Sequence, residues 1–397
     1  MNMKEKAVKE VRVGLIGAGF VSNHHCRSYR QVTGYDVRLA TISDTVAEKA
    51  KTQMNKYGFE KYTTEYHDIL ADPDIDVVDI CTPPFLHKKM IEEALHAGKH
   101  VICEKPLTGY FGAADDECPI GDSVPKSKMY ASVLRELEEL ETVINSTDKK
   151  FMYAENYVYS PNVLKAAELI SAKKSRILMM RGEELLRGSS STQAGMWDKI
   201  GGGTLIRVGT HPLAGLLWFK HVESKARGVD IEPVSVMADV GRVTPSLTEH
   251  EHRHILIHPQ DVEDIATVVI TFSDGSKAIV MSADVCLGCV KNVMEIYAND
   301  GTYLCRITPN DNMETYLPDE EGIEDCYIAE MLPNKIGWHK PFISEQIQRG
   351  YIGEMQDFIE CIVEDREPLS GFKLAKESSK VLYAAYVSAE EGKRVEL

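Results

Sequence analysis

Residues 11–22 read VRVGLIGAGFVS and decide the fold of the first part of the chain. The apolar run up to Ile16 is typical of a fully buried parallel strand. Gly17 and Gly19 follow it in a tight turn that lets the backbone approach a diphosphate, and the next helix offers free N–H groups. Ser22 stands where the usual fingerprint has a third glycine, which serves packing, so a small residue is tolerable. The segment predicts a dinucleotide-binding turn, with an ordinary strand–helix turn as the alternative.

The alternation of strand and helix continues to residue 107. Strands are predicted at 37–43, 76–81 and 100–103, and helices at 21–32, 45–57 and 86–97. Such repeated units imply a parallel sheet with helices on both faces. The pattern breaks at 109–128, which is rich in Gly, Pro and Asp and predicts an inserted loop. Because it exceeds the usual loop length, we expect it to be either functional or mobile. A helix at 129–144 follows.

From residue 151 the strand patterns dominate. Strands are predicted at 177–183, 234–243, 265–271, 277–283, 292–298 and 302–307, and helices at 161–173, 351–364 and 373–391. Turn signals such as SDG and NDG between strands indicate a mostly antiparallel sheet. The fold class is therefore α/β, with an N-terminal Rossmann domain over 8–150, including the insertion 109–128, and a C-terminal α+β domain over 151–397 with an open sheet.

Composition excludes several classes of function. The 397 residues contain 45 Lys and Arg against 61 Asp and Glu, a formal net charge of −16, which disfavours binding to nucleic acid through a broad basic face. No stretch approaches 18 apolar residues, so no membrane span is predicted, and the charged start lacks an apolar signal core. The nine cysteines are scattered and odd in number, which predicts reduced thiols in a cytoplasmic protein.

Polar residues follow three of the predicted parallel strands, at the edge where open α/β sheets bind ligands. Asp44 can accept hydrogen bonds from both ribose hydroxyls and repels a 2′-phosphate, which favours NAD over NADP; capping the helix from Thr45 is an alternative that can coexist. CTPPFLH (81–87) and CEKPL (103–107) end the next two strands. Lys105 could stabilise a developing alkoxide on a substrate, although a surface lysine is the default from composition.

Several blocks together resemble the Gfo/Idh/MocA oxidoreductases. These are GAGFVSNHH, Asp44, CTPPFLHKKMIEEALHAGKHVICEKPLT, AENYVYSP, GGGTLIRVGTHPLAGLLWF (201–219) and the C-terminal REPLSG…AAYVSAEEGKRVEL. The resemblance spans nearly the whole chain. It implies NAD as cofactor, hydride transfer at a sugar or polyol carbon, and homo-oligomers that pack through the open sheet.

The resemblance also assigns site residues. It implies that Lys105 and His211 are catalytic, Lys105 as the EKP lysine and His211 as the histidine of the pattern GGGxLxDxGxH. The predicted cofactor-binding residues are Gly17, Gly19, Phe20, Val21, Asp44, Thr82, Pro83, His87, Glu104 and Lys105. The predicted substrate-binding residues are Arg207, Asn156, Tyr157, Trp197 and Asp198. For Trp197, stacking against a sugar ring and packing in the core stay open as alternatives, and the family's arginine is replaced by Val158.

Arg207 is the largest departure, because the family pattern has aspartate there. Residues four apart on a helix share a face, so Arg207 and His211 are predicted to point together. Aspartate would raise the pKa of the imidazole, whereas a guanidinium disfavours the imidazolium. Arg207 could instead bind a substrate oxygen or face the solvent.

A histidine-rich stretch, HEHRHILIH (250–258), is the remaining cluster. At strand spacing His250, His252 and His254 would share one face, and with Cys286 and Cys289 they could suggest zinc. Substrate contact or surface histidines are the favoured alternatives, so no metal is predicted.

The predicted function is an NAD-dependent dehydrogenase of a sugar, polyol or glycoside, with oxidation at C3 of a glucoside as a specific candidate. Two alternatives remain: an NAD-dependent glycosidase without net redox change, and a non-catalytic regulator that senses nucleotide or sugar. The expected partner molecules are a small carbohydrate and further copies of the chain.

Overall fold

The first strand lies inside a parallel sheet with the order β3-β2-β1-β4-β5-β6. The computed structural model describes residues 9–288, 290–308, 313, 315–330, 332, 334–342 and 344–397. The strands of this sheet are β1 (Glu10–Ile16), β2 (Asp36–Ser43), β3 (Lys61–Thr63), β4 (Val77–Ile80), β5 (His100–Glu104) and β6 (Phe151–Ala154). The strand order reverses between β1 and β4, which makes the carboxyl ends of these strands the expected ligand edge. The predicted parallel sheet is confirmed.

Helices connect these strands, four at predicted places and two, at 67–71 and 120–123, where the sequence predicted none. They are α1 (Ser22–Tyr29), α2 (Ala47–Tyr57), α3 (His67–Ala71) and α4 (His87–His96), followed by α5 (Ile120–Ser123) and α6 (Lys126–Asn145). The boundaries agree with the predicted helices to within a few residues, because the apolar faces and the flanking glycines are local signals. No helix within the described ranges is long and apolar enough to cross a membrane.

The later part of the chain forms a seven-stranded sheet with the order β12-β11-β7-β10-β9-β8-β15. Its strands are β7 (Ile177–Leu185), β8 (Pro233–Gly241), β9 (Ile265–Phe272), β10 (Lys277–Ala283), β11 (Lys291–Ala298), β12 (Gly301–Arg306) and β15 (Val395–Glu396), and β13 (Thr315–Leu317) pairs separately with β14 (Gly337–His339). All neighbours are antiparallel except β7 and β10. The predicted mostly antiparallel sheet is therefore confirmed.

The helices of this part are α7 (Pro161–Lys173), α8 (Trp197–Ile200), α9 (Thr204–Arg207), α10 (Thr210–Arg227), α11 (Glu249–His252), α12 (Glu345–Gln348), α13 (Tyr351–Glu364) and α14 (Phe372–Glu391). Helix α10 packs on β7 and α7, and most of its first eleven residues are buried. The residues of β9 alternate between fully buried and half-exposed, so one face of the sheet is open.

By contacts, the described chain divides into two units, and neither is continuous in sequence. Unit 1 contains the residues up to Thr108 together with Glu136–Glu155 and Tyr351–Ala375; unit 2 contains Gly109–Arg135, Asn156–Gly350 and Lys376–Leu397. This differs from the contiguous domains at 8–150 and 151–397, because a C-terminal segment completes the parallel-sheet unit. Within unit 1, α13 packs on α1, and the amide of Thr33 donates to Gln356 Oε1 (2.9 Å).

The stretch 109–128 is a packed part of unit 2. The amide of Tyr110 donates to the hydroxyl of Tyr383 (2.6 Å), and the amide of Gly121 donates to Asp261 Oδ2 (2.9 Å). A Cβ at Gly121 would lie 1.9 Å from the carbonyl oxygen of Asp261, so the two backbones are in close contact. The prediction of an insertion belonging to the N-terminal domain is wrong, because its anchors come from distant parts of the sequence.

Candidate active site

The glycine turn after β1 has the geometry that a diphosphate requires. Gly17 has φ +103°, and a Cβ there would lie 2.4 Å from the carbonyl oxygen of Cys81, so only glycine fits. A Cβ at Gly19 would meet nothing within 4 Å, so this side of the turn is open. Ser22 is buried and its Oγ donates to the carbonyl of Gly19 (2.8 Å). Ser22, which replaces the third glycine, therefore stabilises the turn through this hydrogen bond. The residues present fit a dinucleotide.

Asp44 braces the same turn. Its Oδ2 accepts the amide of Ala18 (2.9 Å), and its Oδ1 accepts the amide of Val46 (2.8 Å), directly before α2. Asp44 therefore stabilises the turn before α2 but does not cap the helix, whose N-cap is Val46, so the capping alternative from the sequence is wrong. Each carboxylate oxygen retains a further lone pair, so the proposed contact with ribose hydroxyls is compatible with these hydrogen bonds.

The other predicted cofactor residues lie on the same unit. Phe20 is 72% exposed in the turn, and Val21 precedes α1. After β4, Thr82 and Pro83 lead into α4, where the buried ring of His87 bonds the carbonyl of Thr82 and that of Pro106, both at 2.9 Å. Burial lowers the pKa of His87, partly offset by these carbonyls. His87 therefore joins the segments that follow β4 and β5.

Lys105 directly follows β5 and is half-buried. Its amide donates to Oε2 of the preceding Glu104 (3.0 Å), and Oε1 of Glu104 lies 3.0 Å from His25 Nε2. The other ring nitrogen of His25 faces Asp79 (2.9 Å). Sequence reasoning missed His25 and Asp79; an apolar strand interrupted by Asp79 was the available signal.

In unit 2, Tyr157 places its ring against His211. The centroids are 4.5 Å apart and the planes differ by 14°, so the rings are stacked. The Tyr157 hydroxyl donates to Glu184 Oε2 (2.8 Å), and both residues are nearly fully buried. Asn156, next to Tyr157, donates through Nδ2 to the carbonyl of Arg349 (2.7 Å). Among the predicted substrate residues, Tyr157 is thus in contact with His211, and Asn156 fixes the chain beside it.

Arg207 does not share a helix with His211. Helix α9 ends at Arg207, and α10 begins at Thr210, so the predicted common helical face is wrong. The guanidinium pairs with the buried carboxylate of Asp284, which follows β10. Burial raises the pKa of Asp284, and Arg207 lowers it in turn. The positive charge at position 207 therefore has a nearby counter-ion, which weakens the predicted effect on the imidazole of His211.

Glu263 organises the glycine run before α9, although sequence reasoning did not single it out. Its carboxylate accepts the amides of Gly203 (3.0 Å) and Leu205 (2.9 Å) and the hydroxyl of Tyr386 (2.8 Å). Burial raises the pKa of Glu263 to about 7, against the effect of these donors. A Cβ at Gly203 would lie 2.0 Å from the Glu263 carbonyl oxygen, which explains the glycine. The acidic residues Asp261, Glu263 and Asp264 before β9 were the only feature of the sequence that could have pointed to Glu263.

Trp197 is a core residue. It is 2% exposed, and its indole Nε1–H donates to the carbonyl of Tyr110 (3.0 Å). The packing alternative accounts for it, and the prediction of a sugar-stacking face is wrong in this conformation. Asp198 is half-buried and pairs with Lys199 (2.5 Å).

The histidine-rich stretch is not a strand. His250 and His252 lie in the short helix α11, which begins with a capping box from Thr248 and Glu251. Cys289 of the proposed zinc set lies outside the described residues. Within the described residues, the one group of three close candidate metal ligands is His25, Asp79 and Cys81, elsewhere in the chain.

Comparison with known proteins agrees with this architecture. Residues 11–118 match the family model described as "Oxidoreductase family, NAD-binding Rossmann fold", and residues 164–304 match the "GFO/IDH/MocA C-terminal domain". The two matched segments include most strands of both sheets, although β6 and β15 lie outside them. The chain belongs to the Gfo/Idh/MocA oxidoreductase family. The predicted family and its NAD cofactor are thus confirmed.

Individual members of the Gfo/Idh/MocA family differ in how much of this chain they match. The uncharacterized oxidoreductase YrbE of Bacillus subtilis is 37% identical over 100 residues, which are 25% of this chain and 29% of that protein. Levoglucosan dehydrogenase of Pseudarthrobacter phenanthrenivorans is 25% identical over 90% of both chains. The structure of GenD2 from gentamicin A biosynthesis in complex with NAD has a TM-score of 0.77 at 21% identity, covering 98% of this chain and 97% of GenD2. At that identity the likeness shows the fold.

Proposed function

We propose that this oxidoreductase transfers hydride between NAD and a secondary hydroxyl of a sugar, polyol or glycoside. The observation that carries the proposal is Lys105 at the carboxyl end of β5, with its backbone bonded to Glu104, beside a turn shaped for a dinucleotide. Levoglucosan dehydrogenase, similar over nine tenths of its length, supports the carbohydrate class. Oxidation at C3 of a glucoside is the finer candidate.

The proposed reaction separates a hydride from a proton. The carbinol C–H bond breaks, the C=O bond forms, and the hydroxyl proton passes to a basic group of the protein. NAD, when bound, accepts the hydride at C4 of its nicotinamide. We assign Lys105 to a hydrogen bond with the reacting oxygen, where an ammonium stabilises developing alkoxide charge.

We assign proton transfer to His211. Its ring plane is held by the stacked ring of Tyr157, and Tyr157 is held by the carboxylate of Glu184. His211 would hold the proton on its imidazole after accepting it from the substrate hydroxyl. This arrangement gives the imidazole a fixed direction without an aspartate at position 207.

The proposed partner is a second copy of the chain, packed on the open face of the seven-stranded sheet. Met237 pairs across strands with Val269, and Val269 pairs with Ile279, so the three share that face. Met237 is 53% exposed. This row of apolar side chains supports a homo-oligomer, which light scattering would show. A cytoplasmic location stays a prediction.

The proposal is tested by a substrate screen. Purified protein is incubated with NAD and, separately, levoglucosan, myo-inositol, D-glucose and methyl glucosides, with NADH followed at 340 nm and products by mass spectrometry. We expect NADH and a ketone product 2 Da lighter than one of these substrates. Aglycone release without NADH would support the glycosidase alternative, and no turnover of any compound would support the regulator.

A further inference from the structure

A buried charged cluster lies next to Lys105 in unit 1, and no step of the proposed reaction uses it. His25, on α1, has no exposed side-chain area. Its Nδ1 lies 2.9 Å from Asp79 Oδ2, on β4, and its Nε2 lies 3.0 Å from Glu104 Oε1, on β5. One imidazole therefore bridges the helix after β1 and two neighbouring strands.

The geometry identifies the charge that His25 carries. Each ring nitrogen faces a carboxylate oxygen, and a neutral imidazole can donate from only one of them. Burial alone would lower the pKa of His25, but the carboxylate of Asp79 raises it well above its usual value. The ring is thus an imidazolium held between two carboxylates.

The other groups around His25 are largely neutral. Burial raises the pKa of Cys81 and of Tyr29, whose hydroxyl donates to Asp79 (2.9 Å). Glu354 of α13 is fully buried, and burial raises its pKa well above the usual range, although His25 acts in the opposite direction. The ring of Tyr351 lies 6.4 Å from that of His25, and Glu155, after β6, acts on Glu354. The positive charge of the His25 imidazolium therefore acts on the carboxylates of Asp79 and Glu104.

Glu104 links this cation to the active site. While Oε1 faces His25, Oε2 accepts the amide of Lys105. A charged carboxylate held at both oxygens can fix the direction of the peptide that carries Lys105, whereas an unbound one would rotate or take up water.

We propose that His25 is a positioning residue that acts through Glu104 to hold the backbone of Lys105 in the orientation needed for hydride transfer. This inference rests on the proposed function, since it gives His25 a role in positioning Lys105. The imidazolium does not touch the reacting atoms. It replaces the solvent that would otherwise surround the Glu104 carboxylate.

The same ligand atoms would also suit a metal ion, since those of His25, Asp79 and Cys81 lie within 4.8 Å of one another. The distance between His25 Nδ1 and Asp79 Oδ2 is 2.9 Å, which is that of a hydrogen bond. We therefore assign this contact to a hydrogen bond, and metal analysis tests that assignment directly.

The test is a double-mutant cycle with His25→Gln, Glu104→Gln and the double variant, using the substrate from the screen that wild type oxidises fastest. His24→Gln is the matched control, since His24 is the adjacent buried histidine of α1 and stacks on Tyr351 instead (4.6 Å). We expect each single variant to lower kcat about tenfold, with the KM for NAD within threefold, and the double variant to be no worse than a single one. His24→Gln should keep kcat within threefold.

A second readout needs no substrate. Fluorescence of bound NADH reports the surroundings of the nicotinamide, and we expect both single variants to change its emission equally, with the Kd for NADH within threefold. If His25→Gln does not fold, Glu104→Gln alone should give both changes, because it breaks the same link at its other end.

The outcomes separate the two proposals. Altered NADH emission with no turnover by wild type would keep the positioning role and overturn the proposed function. Wild-type turnover with unchanged kcat and emission in the variants, or losses that multiply in the double variant, would overturn the positioning role. So would a stoichiometric metal, found by mass spectrometry in wild type and lost in Asp79→Asn.

Discussion

The two units hold their proposed active residues by different physical means. In unit 1, Lys105 is fixed through Glu104 by a buried imidazolium and a second carboxylate. In unit 2, His211 is fixed by the flat ring of Tyr157, and the nearby Arg207 has its own counter-ion. Charged networks are costly to disrupt because a remaining partner stays buried and uncompensated, whereas a stacked ring tolerates replacement by another flat ring. The first arrangement should therefore be the more sensitive to single substitutions.

Removing the two proposed catalytic groups should give the largest effect. Lys105→Met and His211→Ala are each expected to lower kcat by about 10²–10⁴-fold, the usual contribution of acid–base assistance. Binding of NAD, followed by NADH fluorescence, should be retained. The matched control is His221→Ala on the same helix α10, where the imidazole bonds Glu377 (2.6 Å). Near-normal turnover by His211→Ala would leave Lys105 as the only catalytic candidate.

Breaking the ion pair of unit 2 should cost stability. Arg207→Leu leaves the carboxyl of Asp284 buried without its counter-ion, so we expect a loss of about 3 kcal/mol in the free energy of unfolding. The double variant with Asp284→Leu should recover most of it. Urea denaturation measures the free energy of unfolding of both variants. The exposed pair of Lys165 and Glu168 serves as control, and breaking it should cost less than about 1 kcal/mol. Equal losses in the single and double variants would contradict this account.

The turn of unit 1 should select the cofactor. Wild type is expected to bind NAD about tenfold or more tightly than NADP, because the Asp44 carboxylate repels a 2′-phosphate. Asp44→Ala should remove most of the preference for NAD over NADP. It should also weaken the binding of NAD, since the carboxylate oxygens that accept the amides of Ala18 and Val46 are lost. Asp44→Asn separates the effects by removing the charge and keeping an acceptor. Equal affinities of wild type for the two cofactors would refute the assignment.

A pH-dependent effect is expected at Glu354, whose folded-state pKa is raised by burial. In the unfolded chain this carboxyl ionises near its ordinary value, so stability falls as pH rises from there toward the folded pKa. Glu354→Gln should match wild type near pH 4 and gain stability as pH increases, by at most about 1.4 kcal/mol per pH unit. Urea titrations at pH 4, 6 and 8 test this, with Glu364→Gln of the same helix as control. A gain that does not vary with pH would be the contrary result.

Sequence alone predicted most of what is local. The glycine turn, Asp44 and Lys105 follow directly from strands that end in recognisable motifs, and the order of β1, β2, β4 and β5 with the helices between them follows from their periodicity, whereas β3, α3 and β6 were not predicted. These features depend on neighbours within a few residues, so a single sequence displays them.

What sequence did not predict depends on distant partners. Asp284 lies 77 residues from Arg207, and Glu263 lies 60 residues from Gly203, so neither contact has a signature in spacing. The break between α9 and α10 was missed because an arginine and a histidine four residues apart fit one helix equally well. His25 was missed because it lies in the motif GAGFVSNHH, whose glycines and serine already accounted for the predicted nucleotide turn.

The segmented make-up of unit 1 has a consequence for synthesis of the chain. Its parallel sheet is complete once Ala154 has emerged, but α13, which packs on α1, comes only with Tyr351–Glu364. A nascent chain must therefore expose the side of α1 that α13 contacts until Glu364 has been synthesised, which prolongs its exposure to chaperones and proteases. A premature stop before Tyr351 therefore yields a parallel-sheet unit without the helix that packs on α1.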